Sequence, residues 1–288
     1  MDASSASAVL FPGQGVGDAS SRELVAAVRP DLLELATELV GEDPFERMPE
    51  GTAYAQPAVY CASIAGYEQL GRPQPEYFAG HSLGEIGALA AARAIDDADG
   101  LRIVVARGRV MAEAARRAER GGMLAVGSNH DGAAALAAEH RLTLANENSP
   151  QQFVLSGPLP AIEAAEAAAK GGGVRAKKLA VAGAFHTEAM ASGVGPFRAA
   201  LEEVDVREPD TPVVSSTTAE FFGGDIRDAL AASLTSPIRW TAVLTRLREL
   251  GVTRYVDVGP GKVLAGLVRR TIDDAETETL PRKESAVA

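Results

Sequence analysis

The segment from Tyr77 to Ala94 constrains the fold more than any other. Tyr77-Phe78-Ala79 is apolar and β-prone, Gly80-His81-Ser82-Leu83-Gly84 follows, and 85–94 is alanine-rich with helical character. A strand that runs through a tight glycine turn into a buried helix is the building unit of α/β proteins. Val9-Leu10-Phe11, entering the breakers Pro12-Gly13-Gln14-Gly15, begins another such unit, and a strand over 255–258 with a helix over 263–272 supplies a third. The pattern also predicts helices at 23–28, 32–40, 57–70, 188–204, 226–234 and 240–250, and a strand at 212–216.

The rhythm changes between 122 and 182. Strands are expected at 123–126, 142–145, 152–155 and 176–181, with helices at 132–138 and 159–170. That order, βαββαβ, is the split-βαβ plan of a ferredoxin-like unit. Gly121-Gly122 and Gly183 bracket it as expected hinges. The predicted organisation is one large α/β domain from 1–121 and 183–288 with a small domain, 122–182, inserted. The charged residues from Asp274 onward are expected to fray.

Composition narrows the function classes. With 46% hydrophobic residues in 288, the chain can build a sizeable core. A formal net charge of −11 argues against general nucleic-acid binding, though local patches can oppose the net sign. One cysteine, Cys61, forbids an internal disulfide and is read as a small buried residue. Four histidines without metal-like spacing argue against zinc. No apolar run is long enough to cross a bilayer, and Met1-Asp2-Ala3-Ser4-Ser5 lacks the start of a secretory signal, so a cytoplasmic location is expected.

Gly80-His81-Ser82-Leu83-Gly84 fits G-x-S-x-G, the turn that presents a nucleophilic serine. The glycines permit the bend, Ser82 projects from it, and the first amides of the following helix can stabilise a developing oxyanion. A serine nucleophile needs a base. His81 adjoins Ser82 but is expected to point away; His130 and His140 read as surface groups of the small domain. His186, where the chain returns to the large domain, is the best candidate. Asp96, Asp97, Asp99 and Asp131 lie between the two in sequence, none in a telling context, so a backbone carbonyl is an alternative partner for the imidazole. Arg107, beyond an apolar helical face, reads either as a solvated charge or as a buried fork suited to a substrate carboxylate.

These residues resemble a known pattern. Phe11-Pro12-Gly13-Gln14-Gly15, Gln56-Pro57, Gly80-His81-Ser82-Leu83-Gly84-Glu85, Arg107-Gly108, Asn148-Ser149-Pro150, Gly183-Ala184-Phe185-His186, Ser236-Pro237-Ile238-Arg239-Trp240 and Val258-Gly259-Pro260-Gly261-Lys262 occur along the chain. The sequence is similar to the malonyl-CoA:acyl carrier protein transacylases, the family that includes acyltransferase domains of polyketide synthases. The resemblance implies a hydrolase-like large domain with a ferredoxin-like insert. It implies that Ser82 takes a malonyl-type group from coenzyme A and passes it to the phosphopantetheine thiol of an acyl carrier protein, in fatty-acid or polyketide biosynthesis. His186 would be the base, held by the carbonyl of Ser233. The amides of Leu83 and Gln14 would form the oxyanion hole, and Arg107 would bind the free carboxylate. Phe185 resembles the malonyl-selective form. No cofactor is implied, since the coenzyme A thioester is the substrate. Two departures, Val16-Gly17-Asp18 after Gly15 and serines at Ser215-Ser216, leave the donor open.

Other readings remain at this stage: a trans-acting polyketide acyltransferase for an unusual donor, an editing thioester hydrolase of the same fold, or a docking protein without catalysis. Because a carrier protein is typically acidic, Arg175, Lys177 and Lys178, with Arg116, Arg117 and Arg120, are the expected dock, against the alternative of a solvated charge run. A monomer is the simplest expectation.

Overall fold

A computed structural model, described for residues 6–15, 19–181 and 183–280, arranges the chain around two sheets. The larger is wholly parallel, in the order β7-β2-β1-β8-β9. β1 (Ala6–Phe11) is central, between β2 (Tyr77–Gly80) and β8 (Val252–Asp257); β7 (Val213–Val214) and β9 (Glu276–Thr279) are the edges. Side chains alternate across β1 as strand geometry requires. Val9 and Phe11 enter a core formed with α3 (Thr52–Gln69), α4 (Gly84–Ala91) and α5 (Asp97–Arg117), whereas Ala8 and Leu10 enter a second core with α10 (Trp240–Glu249) and α11 (Val263–Thr271). Covering on both faces explains why β1 and β2 read as apolar without alternation. α1 (Ala19–Val28), α2 (Pro30–Val40), α8 (Ala191–Glu202) and α9 (Ile226–Ala232) complete the first core.

The smaller sheet is antiparallel, in the order β4-β5-β3-β6. Its strands are β3 (Gly121–Gly127), β4 (Thr143–Ser149), β5 (Gln152–Pro158) and β6 (Arg175–Lys178), with α6 (His130–Glu139) and α7 (Leu159–Gly171) as crossovers. Order and connectivity are those of the ferredoxin-like plan. One face packs on α6 and α7 through Leu124, Val126, Phe153, Leu155 and Ile162; the other gives Met123, Ala145 and Val154 to the first core. β4 is also stitched to the segment before α10, where the Ile238 amide donates to the Ala145 carbonyl and the Glu147 amide to the Ile238 carbonyl, each at 2.8 Å.

Three expectations change. The charged tail does not fray at 274: Glu276–Thr279 is the fifth parallel strand, fixed by the Arg254–Glu278 ion pair and by Arg269 donating to Thr277 Oγ1 at 2.7 Å. Gly121 and Gly122 are strand residues rather than a hinge, and a Cβ on Gly121 would lie 2.7 Å from the Ala184 amide, so glycine serves a close approach. α3 begins at Thr52, with Pro57 inside it rather than at its start. Cys61 is buried, and burial pushes its thiol pKa up. Among the described residues, no helix is long and apolar enough to cross a membrane. The departure at Val16-Gly17-Asp18 lies outside the described residues.

Candidate active site

Ser82 occupies the tip of the turn between β2 and α4 with φ of +52°. That left-handed backbone costs a non-glycine residue roughly 1–3 kcal/mol and persists only where its surroundings over-determine it. Here they do. A Cβ on Gly80 would stand 2.0 Å from the Gly84 carbonyl carbon, and one on Gly84 2.0 Å from the Phe11 carbonyl oxygen. The two glycines let β1, the turn and α4 close on one another and drive the serine outward. The Ser82 amide donates to Ser216 Oγ at 3.3 Å. The Ser216 amide donates to Glu85 Oε1 at 2.6 Å, and Ser215 Oγ donates to the same oxygen at 3.1 Å. Burial raises the Glu85 carboxyl above the usual carboxylate range, opposed by these hydrogen bonds and by Arg107.

Two side chains meet the Ser82 hydroxyl: His186 Nε2 at 2.9 Å and Arg107 Nη2 at 3.1 Å. His186 is buried in the loop after β6, with φ of +58°. Its Nδ1 lies 3.0 Å from the Ser233 carbonyl oxygen and 3.1 Å from that of Ser236. Carbonyls only accept, so Nδ1 carries the hydrogen and Nε2 turns its lone pair to Ser82. The tautomer a general base requires is thereby set by two carbonyls. Burial, then the positive charge of Arg107, push the imidazole pKa down to about 3, so the ring is neutral at ordinary pH. The four aspartates are engaged elsewhere: Asp96 with Arg207, Asp97 with Arg29, Asp99 with Arg102, and Asp131 beside exposed His130.

Arg107 is 2% exposed, so the solvated-charge reading is overturned. Nη1 donates to Gln56 Oε1 at 2.9 Å, and among the described residues no carboxylate lies within ion-pair distance. Burial brings its pKa down to about 10, which still leaves it charged at neutral pH. Among the described residues, the amides of Gln14 and Leu83 have no acceptor, and both residues line the same cleft as Ser82, His186 and Arg107. The cleft has a volume of about 530 Å³ and runs between the two sheets, with Phe185, Met111 and Met123 among its apolar walls and Lys177 and Lys178 among its lining.

His81 points away from Ser82, its Nε2 2.8 Å from Asn148 Oδ1 and its ring tilted against Trp240. His130 is exposed, but His140 is half-buried rather than a surface group. The sequence offered no sign of the second carbonyl on His186, from Ser236, because backbone direction in a loop leaves no residue signature. Nor did it expose the Ser216–Glu85 support under Ser82, although Glu85 stands beside the turn. Gln56 was visible as part of a motif, without a role.

This constellation has the parts of acyl transfer: a hydroxyl, a neutral imidazole, two amides without an acceptor among the described residues, and a buried cation. The model of the acyl transferase domain matches residues 36–285. The chain belongs to the acyl transferase family. It is 36% identical over 284 residues to the polyketide biosynthesis protein ThaF of Burkholderia thailandensis, covering 92% of this chain but only 24% of ThaF. It is 35% identical to the malonyl CoA-acyl carrier protein transacylase of Bacillus subtilis over 95% of this chain and 94% of that protein. A solved type II polyketide acyl carrier protein in complex with its malonyl-transacylase matches this acyl transferase with a TM-score of 0.87, 30% identity and 97% coverage of each chain.

Proposed function

We propose that the chain transfers a malonyl-type group from coenzyme A, through an ester on Ser82, to the phosphopantetheine thiol of an acyl carrier protein. The observation that carries this reading is Arg107: a buried guanidinium, unpaired with any carboxylate among the described residues, 3.1 Å from the serine oxygen. A donor with a carboxylate just beyond its reacting carbonyl satisfies that charge, and a simple acyl chain leaves it unpaired at a cost. The names of the B. subtilis relative and of the complexed transacylase agree with malonyl as donor and a carrier protein as acceptor.

The chemistry follows from the geometry. His186 Nε2 takes the Ser82 proton as Oγ attacks the thioester carbon. The oxyanion forms against the Leu83 and Gln14 amides, and Arg107 holds the distal carboxylate. The C–S bond breaks, and the imidazolium returns its proton to the coenzyme A sulfur. In the second half the carrier thiol gives its proton to His186 and attacks the ester; the C–O bond breaks and Ser82 regains the proton. Phe185, buried against the cleft, supports an unbranched malonyl unit. Incubation with malonyl-CoA and intact-mass measurement tests the reading. A lasting adduct that holo carrier protein discharges is expected; rapid return to the free mass in its absence would make the chain a hydrolase.

For the carrier dock, the support has narrowed. Arg116 and Arg117 pair with Glu113, and Lys178 pairs with Glu163 at 3.2 Å. Arg175 and Lys177 are exposed without ion-pair partners among the described residues, and Lys177 lies at the cleft. β6 is an edge strand, where basic side chains also guard against pairing with other chains. Lys177→Glu separates the roles. A dock predicts a several-fold rise in carrier KM, with self-acylation unchanged and the effect shrinking at high salt. Equal carrier KM would leave edge protection as the lysine's purpose.

A further inference from the structure

A buried hydrogen-bond chain runs from Arg107 to the loop after β1. Arg107 Nη1 donates to Gln56 Oε1 at 2.9 Å, Gln56 Nε2 to Thr52 Oγ1 at 2.7 Å, and Thr52 Oγ1 to Gln14 Oε1 at 2.7 Å. The second hydrogen on Gln56 Nε2 finds Met111 Sδ at 3.2 Å. Thr52 is 6% exposed and Gln56 1%, so water does not readily substitute for these partners. At Gln56 the chain has one orientation. A guanidinium has no acceptor, so Gln56 must turn its oxygen to Arg107. Its two N–H groups then face the Thr52 oxygen and the Met111 thioether, both able to accept. The Thr52 proton is left for Gln14, whose Oε1 receives it. Reversing the Gln56 amide would set donor against donor at Arg107 and acceptor against acceptor at Met111.

The backbone is built for this approach. A Cβ on Gly108 would meet the Thr52 carbonyl oxygen at 3.0 Å and Ala53 Cα at 3.1 Å. Glycine next to Arg107 thus lets α5 close on the first turn of α3, bringing the guanidinium within reach of Gln56. Thr52 itself does not line the cleft.

We propose that the Thr52 hydroxyl is a positioning residue for donor selection. It anchors Gln56, which Arg107 and Met111 orient, at the place that aims the Arg107 fork at the acyl carboxylate, and it ties that setting to Gln14 in the wall of the cleft. The inference rests on the reading of Arg107 given under the proposed function. Valine has the shape of threonine without the hydroxyl. In Thr52→Val, Gln14 Oε1 loses its donor and one Gln56 N–H is left buried without its acceptor, so the Gln56 side chain loses its anchor, shifts to relieve that N–H, and Arg107 loses its aim. A donor that carries no carboxylate does not use that aim.

The test compares kcat/KM for malonyl-CoA and acetyl-CoA, with holo carrier protein as acceptor, in the wild type, Thr52→Val, Thr52→Ser and Arg107→Ala. The malonyl-to-acetyl ratio is expected to fall roughly tenfold in Thr52→Val and to stay near wild type in Thr52→Ser, which restores the hydroxyl. Arg107→Ala is expected to collapse the ratio. If Thr52→Val lowers both donors equally, or neither, while Arg107→Ala collapses the ratio, the positioning role is overturned and the carboxylate site stands. If Arg107→Ala leaves the ratio intact, the carboxylate site fails and the relay with it. Should the valine variant not accumulate as folded protein, Thr52→Ala removes the same hydroxyl and is read the same way.

Discussion

Ser82→Ala is expected to show no mass adduct with malonyl-CoA and to lose transfer by about a hundred-thousandfold or more, the scale at which a nucleophile and its base act as one unit. The prediction follows from what the hydroxyl touches. Its oxygen lies at once 2.9 Å from His186 Nε2 and 3.1 Å from Arg107 Nη2 at the tip of a strained turn. Alanine retains the Cβ that fixes the turn's course, and Arg107 retains Gln56, so the fold is expected to change by less than about 1 kcal/mol. A thermal midpoint close to wild type, with binding of malonyl-CoA preserved, would tie the loss to chemistry. Transfer at near wild-type speed by this variant would mean that the acyl group never rests on Ser82, and the proposed mechanism would go with it.

The turn was legible because its glycines have steric work that leaves a spacing behind. At Gly80 and Gly84 a Cβ would stand 2.0 Å from a neighbouring backbone atom, so no side chain fits, and the flanking strand and helix have patterns of their own. The ferredoxin-like order was legible for another reason: β3 and β5 are covered on both faces, by α6 and α7 and by the first core, so each reads as a short apolar run between glycines and turn residues. β9 was not. Glu276–Thr279 has no apolar face, and its place at the sheet edge depends on pairing with β8 and on the Arg254–Glu278 ion pair, both distant in sequence. Pro57 misled in another way, reading as the first turn of a helix while sitting inside one already begun at Thr52. At the site, side chains announced themselves and backbone groups did not. Ser82, His186 and Arg107 could be picked by type and context, and the structure brings all three within hydrogen-bond reach. The Ser233 carbonyl was expected through the resemblance alone and the Ser236 carbonyl not at all, because a carbonyl carries no side-chain signal and the course of the chain after α9 delivers both to His186.

Those carbonyls decide the second large effect. His186→Ala is expected to cut acylation about ten-thousandfold, the upper range for removal of a positioned base, with malonyl-CoA binding retained because Arg107 is untouched. What remains should rise with pH, since only solvent then deprotonates Ser82. The wild type is expected to behave differently. Burial and Arg107 hold the His186 pKa near 3, so its acylation rate should run flat from pH 8 down to about 5 instead of falling through the ordinary histidine range near 6.5. Stability supplies a separate check. A histidine with a lowered folded pKa is neutral in the fold while the unfolded chain takes up a proton, so its contribution to stability erodes as pH drops from about 6.5 toward 3. His186→Ala lacks that term and should lose less stability than the wild type over this window, whatever other groups titrate in both proteins. An acylation limb at 6.5 in the wild type, with equal acid sensitivity in the two proteins, would mean that the ring is protonated in the fold and that carbonyls alone do not set its tautomer.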